Sequence, residues 1–168
     1  MASLNQLIAL LSVVSFVTAQ TWTSCNPLNT TNCPNDPALG TNATFNFAAQ
    51  PADSVIWNTT AGPMTYGGKG AQFTIHESGD SPTIQSTFYI FFGQVSVIMQ
   101  AANGTGIVSS IVLESDDLDE VDWEFLGGNT THVETNFFGK GNTTLYDRAI
   151  WYPLVCMPLI QKKLNRLH

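Results

Sequence analysis

A chain of 168 residues with 13 acidic and 6 basic side chains carries a formal net charge of −7. A surface of that sign repels phosphate backbones, which argues against a nucleic-acid partner. Half of the basic residues (Lys162, Lys163, Arg166) lie at the carboxyl-terminal end, so the body of the chain is more acidic than the total, and a neutral polymer such as a polysaccharide meets no such repulsion.

Residues 1–19 read as a secretory signal. Leu4 to Val17 is mostly apolar, centred on Leu7-Ile8-Ala9-Leu10-Leu11, and Val17-Thr18-Ala19 offers a small-residue cleavage site before Gln20. The run is shorter than the ~20 residues of a membrane span, so the mature chain is expected to be secreted without one. A buried amino-terminal helix is the alternative for the same residues. Six Asn-x-Ser/Thr acceptors follow, at Asn29, Asn42, Asn58, Asn103, Asn129 and Asn142, and in a secreted chain such sites lie on exposed loops. Cys25 and Cys33 are close enough to close a small loop in an oxidising compartment.

The remainder suits one domain. Residues 21–41 are turn-rich, with Pro27, Pro34, Pro37 and Gly40. Short β-type runs then alternate with turn residues, and strands are expected over 43–47, 55–57, 72–76, 86–92, 94–101, 107–113, 120–125 and 132–138. The separators include Ala61-Gly62-Pro63, Tyr66-Gly67-Gly68-Lys69-Gly70, Ser78-Gly79-Asp80-Ser81-Pro82 and Asn103-Gly104-Thr105-Gly106. Many short strands at this spacing predict an all-β chain, an antiparallel sandwich or jelly roll. Residues 152–168 differ, exchanging the acidic β-pattern for an apolar, then basic, segment that holds Cys156.

The chemistry concentrates in Asp119-Glu120-Val121-Asp122-Trp123-Glu124. On a strand, alternate side chains share a face, so Glu120, Asp122 and Glu124 would line a wet surface while Val121, Trp123 and Phe125 pack into a core. On a helix the same residues would scatter around the axis. Crowded carboxyl groups raise one another's ionisation cost. Two of them ~5 Å apart can perform retaining glycoside cleavage, one attacking the anomeric carbon and the other protonating the leaving oxygen. Asp122, between the two, can share a proton with one of them and so separate their pKa values.

The alternatives for these residues are a solvated acidic face or a calcium loop. Asp117-x-Asp119 begins a calcium pattern, but Val121 stands where a further oxygen ligand is needed. His76, His132 and His168 show no paired metal-ligand spacing, and no nucleophile elbow or phosphate loop is present. No metal or cofactor is expected.

The run Glu-Ser-Asp-Asp-Leu-Asp-Glu-Val-Asp-Trp-Glu-Phe-Leu-Gly-Gly at 114–128 resembles the active-site strand of glycoside hydrolase family 16, and more narrowly that of the fungal Crh cell-wall transglycosylases. Further marks of that group are Cys25-Asn26-Pro27-Leu28, Cys33-Pro34-Asn35-Asp36-Pro37-Ala38-Leu39-Gly40 and Gly79-Asp80-Ser81-Pro82-Thr83-Ile84. Gly104-Thr105-Gly106-Ile107-Val108-Ser109-Ser110 and Thr135-Asn136-Phe137-Phe138-Gly139-Lys140-Gly141 complete the set.

The resemblance covers about residues 20–151 and implies a concanavalin-like β-jelly roll with a concave substrate cleft. It implies Glu120 as nucleophile, Asp122 as its electrostatic helper and Glu124 as acid/base. The substrates it implies are chitin and β-glucan of the fungal cell wall, with some relatives hydrolysing chitin. Glu134 and Asn136 alternate on the next strand and, with Glu124, are candidates for sugar contact; the alternative for both is an ordinary polar sheet face. Trp123 belongs to the core by alternation and is not read as a sugar platform. The family-like text stops near Ala149-Ile150-Trp151, so the jelly roll is expected to be incomplete, with sheet edges unpaired and apolar faces uncovered. A truncated, catalytically inactive secreted binding or wall-associated protein is therefore the second functional expectation.

Overall fold

The structure, a computed structural model, describes residues 23–142, 144, 148–155 and 160–163. The expected signal at 1–19 and Cys156 lie outside the described residues. Among the described residues ten short strands are present: β1 Trp57–Ala61, β2 Met64–Gly67, β3 Gly70–Phe73, β4 Thr83–Ser86, β5 Ser96–Met99, β6 Val108–Glu114, β7 Glu120–Leu126, β8 His132–Phe138, β9 Ile150–Pro153 and β10 Ile160–Lys163. Every ladder between them is antiparallel. Strands β6-β7-β8-β9 form a four-stranded sheet in sequence order, while β1 pairs with β4, β2 with β3 and β5 with β10.

The longest strands match expectation closely; the amino-terminal half differs from it. Residues 43–47 form no strand. Their apolar alternation serves an aromatic cluster instead: Phe45 meets Trp57 edge-on at 5.1 Å and stacks on Phe88 at 5.8 Å, while Phe47 meets Trp57 at 5.6 Å. Ring packing satisfies the pattern without a ladder. Of the strand expected at 86–92 only Ser86 lies in a strand, as the last residue of β4. There the Ser86 hydroxyl donates to the Phe88 carbonyl at 2.9 Å, and the Thr87 hydroxyl donates to the Val55 carbonyl at 2.8 Å. Side-chain bonds of this kind compete with ladder pairing.

Similarly, the run expected at 72–76 stops at Phe73, because the His76 and Glu77 amides donate to the Asp80 carboxylate at 2.7 and 3.1 Å and close a loop. Strand β2 went unpredicted because its glycine-rich end reads as a turn. It is half of a hairpin whose last pair is Gly67 with Gly70, closed by Gly68-Lys69. Residues 160–163, in the segment that departs from the acidic β-pattern, supply β10, pairing Ile160 with Met99 and Lys163 with Ser96. Strand β9 runs through the expected boundary at 151/152.

Two features hold β7 in place. Beyond its carboxyl end, Gly127 donates to the Ile107 carbonyl at 2.8 Å and accepts from the Gly104 amide at 3.2 Å. A Cβ at Gly127 would stand 2.5 Å from the Gly104 oxygen, so only glycine permits this approach. Before its amino end, the 115–119 loop turns on Leu118, whose φ of 65° is unusual for a branched side chain. Leu118 O accepts from the Gly141 amide at 2.8 Å, and Asp119 Oδ1 accepts from the Lys140 amide at 2.9 Å. The loop that delivers Glu120 is thus tied to the turn following β8.

The bridge between Cys25 and Cys33 is formed, with Cα atoms 5.6 Å apart. Downstream of it, Ala38 bridges Tyr89, and the Tyr89 hydroxyl donates to Asp116 Oδ1 at 2.7 Å. The amino-terminal segment is therefore joined through Tyr89 to the loop before β7.

Candidate active site

Strand β7 lies inside the four-stranded sheet, with β6 on one side and β8 on the other. Residues directly opposite in an antiparallel ladder share a face. Glu120 is paired with Glu114 and Phe138, Asp122 with Val112 and Asn136, and Glu124 with Ser110 and Glu134. One face of three adjacent strands therefore gathers five carboxylates: Glu114, Glu120, Asp122, Glu124 and Glu134. The spacing argument that placed Glu120, Asp122 and Glu124 together agrees with the strand, and the register brings Glu134 and Asn136 onto their face. Glu114 was missed, because β6 reads from its sequence as a plain apolar strand and only pairing sets its last residue opposite Glu120.

The face is less wet than alternation suggests. Asp122 is buried at 4% relative exposure, and Glu120 and Glu124 are half-buried. Asp122 stands mid-strand between two neighbouring strands, with a carboxylate two residues away on either side, so little of it reaches solvent. On the far face Phe125 is buried and Val133 is fully buried, while Val121 and Trp123 are only half-buried.

Electrostatics follows from this packing. Burial, aided by a hydrogen bond to Glu120 and by the charges of Glu120, Glu124 and Glu114, pushes the Asp122 carboxyl up to about 8. Near neutral pH Asp122 therefore holds a proton and can donate it in a hydrogen bond to the Glu120 carboxylate. Glu124 is also raised, first by burial, then by the negative charges of Glu134 and Glu120. Glu120 Oε2 and Asp122 Oδ1 are buried and have no hydrogen-bond partner among the described residues. The arrangement can offer a carboxylate beside a neutral acid, and a second acid four residues along. Among the described residues no group of three or more His, Cys, Asp or Glu side chains is placed to hold a metal ion.

Of the six glycosylation candidates, Asn29, Asn42, Asn58, Asn103 and Asn142 are exposed. Asn129 is half-buried, and its side-chain oxygen accepts from the Thr131 hydroxyl at 2.9 Å.

Comparison with known proteins agrees with this geometry. Residues 51–154 match the family described as glycosyl hydrolases family 16. Crh-like protein 2 of Botryotinia fuckeliana (strain B05.10) is 74% identical over 138 residues, covering 82% of this chain and 30% of that protein. Crh-like protein 5 of Aspergillus fumigatus (strain ATCC MYA-4609 / CBS 101355 / FGSC A1100 / Af293) is 53% identical over 146 residues, covering 87% of this chain and 37% of that protein. The chain thus spans roughly a third of the length of these curated relatives. A solved structure, Crh5 transglycosylase in complex with NAG, superposes with a TM-score of 0.71 at 53% identity, covering 77% of this chain and 53% of that one. The all-β jelly-roll class expected from the strand pattern is the fold of this chain. With the five-carboxylate face and the match over 51–154, the chain belongs to glycosyl hydrolases family 16.

Proposed function

We propose that this chain is the amino-terminal part of a secreted, retaining glycosidase and transglycosylase that acts on chitin and joins its fragments to β-glucan in the fungal cell wall. The observation that supports it most directly is the buried, proton-sharing contact of Asp122 with Glu120 on the face that also holds Glu124. In this reading the Glu120 carboxylate attacks the anomeric carbon as the bond to the leaving oxygen breaks. Glu124 gives its proton to that oxygen. The covalent glycosyl ester is then displaced by a water or a sugar hydroxyl, whose proton returns to Glu124. Asp122, neutral, hydrogen-bonds Glu120 and orients it. Glu124, Glu134 and Asn136 face the sugar.

The polysaccharide assignment leans on the relatives: Crh5 transglycosylase was solved in complex with NAG, the repeating sugar of chitin. Secretion leans on the signal pattern at 1–19, on the Cys25–Cys33 bridge and on glycosylation at Asn29, Asn42, Asn58, Asn103, Asn129 and Asn142. The family match runs to residue 154 and β9 to Pro153, so the family portion of the mature chain extends past the expected boundary at 151 and the tail begins beyond it. No helix among the described residues is long and apolar enough to cross a membrane.

The test is transfer of labelled chitin oligosaccharides onto β-glucan by the purified chain. Transfer that Glu120→Gln abolishes supports the reading; transfer that survives the substitution overturns it. Retention of oligosaccharide without turnover would favour the second reading, a catalytically inactive carbohydrate-binding protein, which the chain's one-third share of its relatives' length keeps in view.

A further inference from the structure

The loop between β6 and β7 begins and ends on a pair of opposed carboxylates, Glu114 and Glu120. Five of the seven residues from Glu114 to Glu120 are acidic, and none is basic. Like charges this close repel, so a loop of this composition opens unless donors hold it. The Ser115 hydroxyl donates to Asp117 Oδ1, and the Lys140 amide donates to Asp119 Oδ1 at 2.9 Å. A further tie comes from outside the four-stranded sheet, where the Tyr89 hydroxyl donates to Asp116 Oδ1 at 2.7 Å. We propose that Tyr89 is a positioning residue which, through Asp116, fixes this loop so that Glu120 stays beside Asp122, oriented for attack on the sugar. The proposal rests on the glycosidase reading above and names the residue that holds its nucleophile in place.

The loop acts on Glu120 directly, because Glu114 is the last residue of β6 and Glu120 the first of β7. Tyr89 is itself well supported. Its amide donates to the Pro37 carbonyl at 2.8 Å, and its carbonyl accepts from the Leu39 amide at 3.0 Å. The segment that supplies both partners follows the Cys25–Cys33 bridge. The ring therefore stands on a cross-linked strip of chain, and it is half-buried there. A donor partly withdrawn from water binds its acceptor more firmly than an exposed one.

The chemical type of the donor matters too. Burial, the bond to Asp116 and the charges of Asp116, Asp36 and Glu114 push the Tyr89 hydroxyl well above its ordinary value, so it remains a neutral donor. A lysine or arginine side chain could also bind Asp116. Its positive charge would favour ionisation of Glu114 and, beyond it, of Asp122, whose proton the mechanism uses. A phenol anchors the loop and leaves that proton in place. Asp36 joins the same group: burial, the charge of Asp116 and a hydrogen bond to Asp116 raise its carboxyl. The amino-terminal segment thus reaches Asp116 twice, through Asp36 and through the ring that it supports.

The experiment measures two quantities on the full chain. One is transfer from the hexasaccharide of N-acetylglucosamine to β-glucan; the other is the titration of the Asp122 carboxyl, followed by carbon NMR. Tyr89→Phe removes only the hydroxyl. It should lower kcat about tenfold with the donor KM unchanged, as for a displaced reacting group. It should also lower the pH at which Asp122 titrates, because Glu120 moves away from it. Asp116→Ala should reproduce both effects, and the double variant should lose no more than either single one, as for two partners in one bond. Asp116→Asn keeps an oxygen acceptor for the phenol and should retain most of the rate. Native kcat or an unmoved Asp122 titration in Tyr89→Phe overturns the proposal, as do losses that multiply in the double variant. A fall in kcat that only tracks the folded fraction seen by circular dichroism overturns it as well. If the unsubstituted chain performs no transfer, the glycosidase reading fails by itself and the titration decides alone. A shift in Tyr89→Phe then upholds the hold on Glu120, and no shift overturns it.

Discussion

Glu134 lies directly opposite Glu124 on the β7–β8 ladder, so two acidic side chains occupy the same face at one rung of the sheet. Like charges directly opposed on a sheet destabilise one another. Here the charge of Glu134 is the largest influence on Glu124 after burial, and it raises the Glu124 carboxyl. In the proposed role of general acid Glu124 must hold its proton at working pH, and a raised pKa favours that.

Glu134→Gln removes a negative charge from beside Glu124 and so eases its ionisation. The Glu124 pKa falls, and the alkaline limb of the pH profile of kcat/KM moves to lower pH. An unmoved limb, with activity retained, would show that Glu134 does not set the acid.

Asp122→Asn bears on stability as well as rate. The folded chain holds the Asp122 proton up to about pH 8, against an ordinary value of 3.8. The folded state therefore binds a proton that the unfolded chain releases. Its contribution to stability is complete below pH 3.8 and is lost progressively as pH rises through 8. Thermal melts of the native chain should weaken over that window, and the asparagine variant should show a flatter slope. Asparagine keeps an N–H donor towards Glu120, so the turnover of Asp122→Asn should fall less than that of Asp122→Ala, which loses the donor and should drop by ~10²–10³-fold.

Glu120→Gln and Glu124→Gln separate nucleophile from acid. The first should cost about 10⁴-fold or more, the second ~10²–10⁴-fold. With an aryl glycoside whose leaving group needs no proton, Glu124→Gln should recover the first step as a burst of released phenol. Glu120→Gln should not recover on any donor. The reverse pattern would exchange the roles.

Gly127→Ala tests the close approach that ends β7. Its Cβ would stand 2.5 Å from the Gly104 oxygen and 2.9 Å from the Ala102 oxygen, both backbone atoms. The loop must shift, at a cost of ~1–3 kcal/mol, read as a lowered denaturation midpoint. Gly128→Ala, whose Cβ would meet nothing nearer than 3.7 Å, is the matched control and should cost far less.

How much could be read without coordinates varies along the chain. β8 was expected with the bounds it has, and β6 and β7 within one residue at either end, because each is a long alternating run whose neighbours in the sheet are also its neighbours in sequence. The amino-terminal half was harder. The Phe45 and Phe47 alternation marks ring packing rather than pairing, and the hydroxyls of Ser86 and Thr87 end a strand that composition would have continued. Glycines that read as a turn concealed β2.

Residue order alone set Glu120, Asp122 and Glu124 on one strand face and paired Cys25 with Cys33, because strand periodicity and short loop closure are local properties of a chain. Which of the carboxylates keeps its proton was decided by tertiary structure. Asp122 is buried because β6 and β8 flank it, and Glu114 and Glu134 join the face only through register. Electrostatic shifts depend on distance and desolvation, and both arise when strands far apart in sequence are laid side by side.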